Sequence, residues 1–226
     1  MSLDSVWRDP AIVEEYSHAT ELQAPEQAIL NLLQDQLPQM KMLDLGVGGG
    51  RTTLHFAQQV KNYMGVDYSA EMIAACKARF QPASEKISFA VCDARTLDIF
   101  PDRYFDFILF SYNGIDCVAH ADRLRVLQQV HRVGRRGGFF CFSAHNLQSR
   151  QQVDLPFESG CGFAVINDGV HDGRLQLYYI RPDEQLQQLR PYFTDIRVYN
   201  LAGNLVQDHQ LNSISDCWLY YSCTIR

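Results

Sequence analysis

The segment most informative about the fold is Leu43-Asp44-Leu45-Gly46-Val47-Gly48-Gly49-Gly50-Arg51. It ends an apolar run and is followed by apolar residues at helical spacing, Leu54, Ala57 and Val60, which predicts a strand, a glycine turn and a helix. Glycine suits such a turn because a backbone that turns sharply, or that a ligand touches, leaves no room for a Cβ. A dinucleotide-binding turn would carry its third glycine at position 51, where arginine stands, so the spacing disfavours a diphosphate ligand.

Short apolar runs bounded by Gly, Asp, Ser or Asn recur around this turn. They are Met40–Leu45, Tyr63–Val66, Ile87–Cys92, Phe105–Ser111 and Gly138–Ser143. The segments between them have helical periodicity, and Ser69 is placed to cap one of the helices at its N-terminus. Alternating strands and helices predict an α/β fold, a doubly wound and mostly parallel sheet with helices on both faces.

The C-terminal part changes character. Gly162–Asn167 and Arg174–Ile180 predict a β-hairpin, Pro182 to Tyr192 a helix, and Ile196–Tyr199 and Cys217–Ile225 two further strands, the last of them antiparallel. We therefore expect a seven-stranded sheet with a hairpin inserted after the fifth strand. The chain is interpreted as one domain with an N-terminal helical extension (1–38), a core (39–146) and the hairpin with the C-terminal strands (147–226).

Composition excludes several classes of protein. Of 226 residues, 46% are hydrophobic, and 20 Lys and Arg against 26 Asp and Glu give a net charge of −6, which disfavours nucleic acid and anionic membranes as partners. The basic run Arg132–Arg136 is interpreted as a solvated helix end. Seven cysteines without a Cys-x-x-Cys pair argue against a metal site or a disulfide framework and favour a reducing, cytoplasmic setting. Neither a signal peptide nor a membrane span is expected.

Acidic residues follow three of the predicted strands. Asp44, Asp67 and Asp93 stand at the carboxyl ends of the first, second and third strands, the edge where open α/β sheets bind ligands. Asp67, about 20 residues beyond the glycines, is placed to accept hydrogen bonds from both hydroxyls of a ribose, and Asp93 to accept one from an exocyclic amine. Any one of them alone is explained as well by a turn or helix cap. Ser111-Tyr112-Asn113 and Ser143-Ala144-His145-Asn146 follow the fourth and fifth strands at the same edge.

This ordered set resembles the class I S-adenosylmethionine-dependent methyltransferases over roughly Pro25 to Asn146. The acid and glycines from Asp44 to Gly50, the acids Asp67 and Asp93, and the segment from Phe105 to Ser143 match the family in order. The resemblance implies a seven-stranded Rossmann-like fold and S-adenosyl-L-methionine as cofactor. It implies that cofactor-binding residues are Asp44, Gly46, Val47, Gly48, Gly50, Asp67, Tyr68, Met72, Asp93, Ala94, Arg95 and Ser111. The three motif glycines would line the methionine end, Tyr68 and Met72 would pack on adenine, and Ala94 and Arg95 would flank its other edge.

Fewer residues of the sequence indicate where the methyl acceptor would bind. Ser111 and Asn113 would border the transferred methyl, and His145, His120 and Asp116 are candidate general bases, with His145 and Asn113 taken as the catalytic pair. Each has a structural alternative: His145 as a polar loop residue, and Asp116 as the cap of a helix beginning near Ala121. Tyr16 would fold over the cofactor or simply pack. Four aromatic residues of the hairpin would wall a substrate pocket or belong to the core: Phe157, Phe163, Tyr178 and Tyr179.

The predicted function is methyl transfer to an N or O nucleophile, with S-adenosyl-L-homocysteine as product. No Asn-Pro-Pro-Tyr, Asp-Pro-Pro-Tyr or Pro-Cys sequence occurs, which disfavours adenine, glutamine-amide and pyrimidine C5 acceptors and favours a small molecule. Two alternatives stay open. One is a catalytically silent subunit that binds the cofactor and recognises a partner protein, and the other, which the residue at position 51 disfavours, is an NAD(P)-dependent oxidoreductase.

Overall fold

The predicted alternation of strands and helices is present in the computed structural model, which describes residues 3–82, 84–149, 161–166 and 175–226. The helices are α1 (Pro10–His18), α2 (Ala24–Leu33), α3 (Thr53–Phe56), α4 (Ala70–Arg79), α5 (His120–Val133) and α6 (Pro182–Leu189). The strands are β1 (Lys41–Leu45), β2 (Asn62–Asp67), β3 (Ile87–Val91), β4 (Phe105–Phe110), β5 (Gly134–Asn146), β6 (Cys161–Ile166), β7 (Leu175–Ile180), β8 (Phe193–Tyr199) and β9 (Trp218–Ile225). Short 3₁₀ helices stand at Leu3–Arg8, Leu37–Gln39, Gly114–Cys117 and Asp208–Gln210.

The strands form one sheet with a parallel centre. Five parallel strands are ordered β3-β2-β1-β4-β5, and β9 runs antiparallel between β5 and β8. The mostly parallel α/β sheet with an antiparallel last strand is confirmed. β6 and β7 pair antiparallel and extend the sheet from the end of β5, where His145 lies opposite Tyr179. The sheet therefore has nine strands in the described ranges, the seven predicted and the two of the hairpin, whose turn lies outside those ranges.

Both faces of the sheet are covered. Along β4, Phe107 and Leu109 belong to a core cluster with apolar residues of α2, whereas Ile108 and Phe110 belong to a second cluster with apolar residues of α5. Successive side chains of a strand point to opposite faces, so a strand buried on both sides is apolar throughout. This explains the apolar run Phe107–Phe110 in β4 and confirms the doubly wound arrangement. Within the described ranges, no helix is both long enough and apolar enough to cross a membrane.

Several element boundaries differ from the prediction: β8 begins at Phe193 and not at Ile196, and three other differences have a clear physical cause. β5 begins at Gly134 and not at Gly138, so most of the run Arg132–Arg136 lies in a strand rather than at a helix end, because the backbone pairs with β4 from Gly134 onward. α6 ends at Leu189 and not at Tyr192, because Pro191 has no N–H to continue the helical hydrogen bonds beyond Arg190.

The third difference concerns the helix after the glycine turn. α3 is a single turn, so helical periodicity does not continue to Val60. Leu54 is consequently 42% exposed, and the buried side chains are Phe56, Ala57 and Val60. The predicted cap of α4 is confirmed, since the Oγ atom of Ser69 accepts a hydrogen bond from the Met72 N–H at 3.2 Å.

Candidate functional site

The glycine turn links β1 to α3 and uses its glycines in two ways. Gly46, Gly48 and Gly50 have φ angles of +60°, +54° and +84°, the left-handed region that glycine adopts without steric cost. Gly49 is needed for another reason: a Cβ there would lie 2.4 Å from the backbone of Ser17 in α1. The N-terminal helix therefore touches the glycine turn directly.

The chain between α1 and α2 is tied to the same turn by side chains of the core. Arg79 donates to the carbonyl oxygens of Gly49 at 2.7 Å and Ala19 at 3.0 Å. His55 Nε2 lies 2.6 Å from the Thr20 carbonyl oxygen. The N-terminal extension is thus joined to the glycine turn by polar contacts as well as by close packing.

Asp67 ends β2 and connects that strand to the glycine turn. Its side-chain oxygens accept hydrogen bonds from the backbone N–H groups of Gly48 at 3.1 Å and Ser69 at 2.9 Å. Burial raises the pKa of Asp67, and these backbone donors counteract the effect only in part. A carboxylate oxygen can accept more than one hydrogen bond, so both oxygens keep the capacity to bind the hydroxyls of a ribose.

Asp93, beyond the end of β3, is held by its neighbour. The guanidinium of Arg95 donates to both carboxylate oxygens at 2.6–3.0 Å. Burial acts to raise the pKa of Asp93, but the hydrogen bonds and charge of Arg95 outweigh it and hold that pKa below its ordinary value. An exocyclic amine would therefore share this carboxylate with Arg95.

Asp44 is the most buried of the three acids, at 1% exposed. One of its oxygens accepts hydrogen bonds from the hydroxyls of Thr52 and Tyr63, both at 2.5 Å. Burial raises the pKa of Asp44 to about 6 despite these donors. The acid of the glycine motif therefore also fastens β1 to the turn and to β2.

A cavity of about 610 Å³ opens along the carboxyl ends of these strands. Its wall includes nearly all the predicted site residues: Asp44, Gly46, Val47, Gly48, Asp67, Tyr68, Met72, Asp93, Ala94, Arg95, Ser111, Asn113 and His145. The exception is Gly50, which does not line the cavity and packs against α4 instead. A Cβ there would lie 2.5 Å from the Phe80 ring, so close packing explains this glycine.

The order of the strands arranges the polar groups along the cavity. Asp93 follows β3, Asp67 ends β2, Asn113 follows β4 and His145 lies in β5, in a sheet ordered β3-β2-β1-β4-β5. With neighbouring strands about 4.8 Å apart, the four intervals from β3 to β5 span about 19 Å. The carboxylates suited to hydroxyls and amines thus lie toward one end and the histidine at the other.

The turn after β4 has a strained backbone. Tyr112 and Asn113, two consecutive residues with side chains, have φ angles of +55° and +59°. Such conformations cost about 1–3 kcal/mol each and persist only where surrounding contacts enforce them. Here the Asn113 N–H donates to the Ser143 hydroxyl at 2.7 Å, which fixes the turn against β5. The Asn113 amide nitrogen lies 3.3 Å from His145 Nε2, so the predicted catalytic pair is in contact.

Asp116 does not cap α5, whose N-cap is Ala119. It is fully buried, and one carboxylate oxygen lies 2.8 Å from His145 Nδ1 while the other accepts from Arg123. His120, the other candidate base, is exposed and bonded to the Tyr178 hydroxyl at 2.5 Å, and it does not line the cavity. The geometry therefore favours His145 over His120.

The N-terminal extension and the hairpin supply part of the cavity wall. Tyr16 lines it, with its ring 5.3 Å from Trp7 and 6.1 Å from Tyr112, both edge to face. From the hairpin, Leu177 lines the cavity, whereas Tyr178 and Tyr179 are buried core residues that do not. Phe157 and the side chain of Phe163, also predicted as wall residues, lie outside the described part of the chain.

Sequence reasoning missed a buried ion pair beside the cavity. Glu26 in α2 is 0% exposed, and Arg51 donates to both of its carboxylate oxygens at 2.6 Å. Ser111 also donates to Glu26 and accepts from the Tyr220 hydroxyl at 3.2 Å. Of the Glu26 contacts, only the hydrogen bond from the Gln23 N–H could be predicted from neighbouring residues, because it is typical of the start of a helix. The ion pair joins residues 25 positions apart, which no local pattern reveals.

The chemistry of this wall fits S-adenosylmethionine. A buried carboxylate with spare acceptor capacity suits a ribose diol, a second carboxylate suits an amine, and acidic side chains suit a sulfonium cation. Both arginines in the described cavity wall, Arg51 and Arg95, are already paired with carboxylates. A diphosphate would find neither of them unpaired.

Comparison with known proteins agrees with this fit. Residues 42–138 match a family model described as a methyltransferase domain. The chain is 32% identical over 108 residues to an uncharacterized methyltransferase, YcgJ, of Bacillus subtilis, and 32% identical over 108 residues to ajmaline N-methyltransferase of Rauvolfia serpentina. Each alignment covers 46% of this chain, and it spans only 40% and 35% of those relatives, respectively.

Solved structures share the fold over nearly the whole chain. The CcbJ methyltransferase of Streptomyces caelestis superposes with a TM-score of 0.70 at 15% identity, covering 98% of both chains. An S-adenosylmethionine-dependent methyltransferase of Clostridium acetobutylicum superposes with a TM-score of 0.66 at 18% identity, covering 89% of this chain and 90% of that one. Residues 42–138 therefore match a methyltransferase domain, and the chain shares its fold with S-adenosylmethionine-dependent methyltransferases.

Proposed function

We propose that this protein transfers a methyl group from S-adenosylmethionine to a nitrogen or oxygen nucleophile of a small molecule. The observation that carries the proposal is one cavity with Asp67 and Asp93 toward one end and Asn113 and His145 toward the other. When bound, the cofactor supplies a methyl group on a sulfonium: the acceptor's lone pair forms the new bond to carbon while the carbon–sulfur electron pair returns to sulfur.

The residues of the chain contribute mainly by holding the reactants. Asp67 would bind the ribose hydroxyls, and Tyr68 and Met72 would pack against the adenine. The glycine turn leaves backbone exposed beside the methionine end. Positioning two reactants at attack distance supplies a large part of the rate enhancement in such a displacement, and no covalent enzyme intermediate is required.

The walls of the cavity support a small acceptor. Trp7 and Tyr16 from the N-terminal extension, Leu177 from β7 and Trp218 from β9 add apolar and aromatic surface to its wall. A net charge of −6 gives no general attraction for nucleic acid. Two matched relatives are N-methyltransferases by name, ajmaline N-methyltransferase and norajmaline N-methyltransferase, which supports a nitrogen acceptor.

Two measurements test the proposal. In isothermal titration calorimetry, S-adenosylhomocysteine should bind and NAD should not; the opposite result, or no binding of either, would overturn it. The protein is then incubated with tritium-labelled S-adenosylmethionine and an expression-host extract supplemented with tryptamine and tyramine, and small molecules are separated from macromolecules. Label in the small-molecule fraction supports the proposal, and label confined to protein or nucleic acid contradicts the small-molecule acceptor.

A further inference from the structure

His145 is held from two sides at the acceptor end of the cavity. Its side chain is 11% exposed. On one side, a single oxygen of Asp116 lies 2.8 Å from His145 Nδ1 and accepts from the His145 backbone N–H at 2.6 Å. On the other side, the amide nitrogen of Asn113 lies 3.3 Å from Nε2.

These contacts determine where the ring carries its proton. Asp116 also accepts from the Arg123 guanidinium, and an ionised carboxylate can only accept, so the proton between Asp116 and Nδ1 belongs to Nδ1. The amide nitrogen of Asn113 can only donate, so the Nε2 atom facing it must be the acceptor. The Asp116 carboxylate therefore requires the proton on Nδ1, and the amide nitrogen that faces Nε2 is compatible with the same neutral tautomer.

We propose that Asp116 is a positioning residue that holds His145 with its proton on Nδ1. The Nε2 lone pair, whose contact with the Asn113 amide is long at 3.3 Å, then exchanges that amide for an N–H or O–H acceptor and takes the proton that the acceptor releases. This inference rests on the proposed function and narrows its substrate class to amines and hydroxyl compounds that lose a proton during methylation. Tertiary amines and thioethers, which have no proton on the attacking atom, would gain nothing from this arrangement. The histidinium formed after proton transfer lies against the Asp116 carboxylate, which stabilises the charge.

Arg123 compensates the charge of the buried Asp116 carboxylate. Its side chain is 0% exposed and donates to Asp116, to the Ile115 carbonyl oxygen at 3.0 Å and to the Gln185 side chain at 2.6 Å. The guanidinium also lies 4.6 Å from the centre of the Tyr178 ring. A buried charge is tolerated when it is paired and hydrogen-bonded, so Arg123 compensates the charge that Asp116 requires.

The surroundings fix the ring in orientation as well as in tautomer. The Tyr179 ring lies 4.9 Å from the His145 ring, and Trp218 is opposite His145 in the β5–β9 pairing. Asn113 is fixed in turn by the strained backbone after β4 and by its bond to Ser143. Strain retained at a cavity wall is typical of functional positions, and here it holds an amide against the base.

The first test reads the tautomer directly and needs no acceptor. The protein is labelled with ¹⁵N-histidine, saturated with S-adenosylhomocysteine and studied by NMR at neutral pH, with His145→Gln used to assign the signals. We expect the His145 proton on Nδ1 in the wild type and a mixture of tautomers in Asp116→Asn, whose amide cannot accept from both Arg123 and His145. The exposed ion-paired Asp102 provides the matched control, Asp102→Asn, which should leave the His145 signals unchanged. A wild-type proton on Nε2, or unchanged signals in Asp116→Asn, would overturn the inference.

The second test uses whichever of tryptamine and tyramine accepts the methyl group. Asp116→Asn and His145→Gln should lower kcat about 100-fold or more, the size of a general-base contribution, with the KM of the acceptor and the affinity for S-adenosylhomocysteine nearly unchanged. Asp116→Asn weakens a buried ion pair, which can impair folding. The NMR tautomer of the wild type and the kcat of His145→Gln therefore test the role of His145 without that variant. Methyl transfer that His145→Gln leaves at the wild-type rate refutes the inference while the proposed function stands. Absence of cofactor binding refutes the proposed function, and the wild-type NMR result still decides the role of Asp116.

Discussion

Asp44→Asn is expected to change how the stability of the protein depends on pH. The pKa of Asp44 is raised by burial from 3.8 to about 6, despite the hydrogen bonds from Thr52 and Tyr63. A carboxyl whose pKa is higher in the folded than in the unfolded state adds most stability below the unfolded value, and this contribution is lost as pH rises through the folded value. A shift of about two pKa units corresponds to about 3 kcal/mol of the free energy of unfolding.

The variant removes the charge and keeps an oxygen that can accept from the same two hydroxyls. The free energy of unfolding of Asp44→Asn, relative to wild type, should therefore increase by about 2 kcal/mol between about pH 4.5 and about pH 7.5. Urea unfolding followed by the fluorescence of the two tryptophans measures this difference at each pH.

Asp35→Asn, at an exposed position, serves as the control and should show far less dependence on pH. If the difference between Asp44→Asn and wild type is the same at both pH values, then the pKa of Asp44 is not raised in the native state. The account of Asp44 as a carboxyl buried at a cost would then be wrong.

Three further substitutions test the site. Asp67→Ala should raise the Kd of S-adenosylhomocysteine about 10- to 100-fold in calorimetry, since charge-assisted hydrogen bonds contribute about 1.5–3 kcal/mol, and Asp93→Ala, whose carboxylate is already held by an arginine, should have a smaller effect. Gly49→Ala should destabilise the fold by about 1–3 kcal/mol and speed amide hydrogen exchange in α1, because its Cβ would lie 2.4 Å from the α1 backbone. Arg51→Met leaves Glu26 buried without its partner and should cost about 3–5 kcal/mol in urea unfolding.

Each of these has a control and a contrary outcome. Asp102→Ala should leave the cofactor affinity unchanged, and wild-type affinity in Asp67→Ala would remove the ribose assignment. Exchange in α5 should stay unaltered in Gly49→Ala, and unaltered exchange in α1 would contradict its close approach to the turn. Arg125→Met breaks an exposed pair with Asp122 and should cost less than about 1 kcal/mol. A similarly small cost for Arg51→Met would contradict the buried ion pair.

Much of the fold could be predicted because it is encoded locally. Strands buried on both faces are apolar throughout, glycines mark the turn after β1, and carboxyl ends of parallel strands share one edge, so Asp67 and Asp93 could be placed at the cavity from sequence. Boundaries failed where pairing or a single residue decided them, as at Gly134 and Pro191. The sequence did not show that Gly50 packs against α4, because glycine is required equally by a ligand and by close packing.

The polar networks could not be predicted because they join residues far apart in the chain. Arg51 pairs with Glu26, and Asp116 contacts His145 across 29 positions. A carboxylate after a strand looks the same in sequence whether it caps a helix or orients a histidine. Only the tertiary structure distinguishes the two, and it assigned Asp116 to the second role.

The contact between α1 and the glycine turn determines where the chain can be truncated. A boundary near residue 38, natural in the sequence, would remove Ser17 and Ala19 from Gly49 and Arg79, and Glu26 from Arg51. A fragment beginning there would keep every strand of the parallel sheet. It would leave Arg51 without Glu26, remove one wall of the cavity and expose the glycine turn to water. The cavity wall thus needs the N-terminal stretch as well as the sheet, and removing that stretch would leave a fold without a complete site.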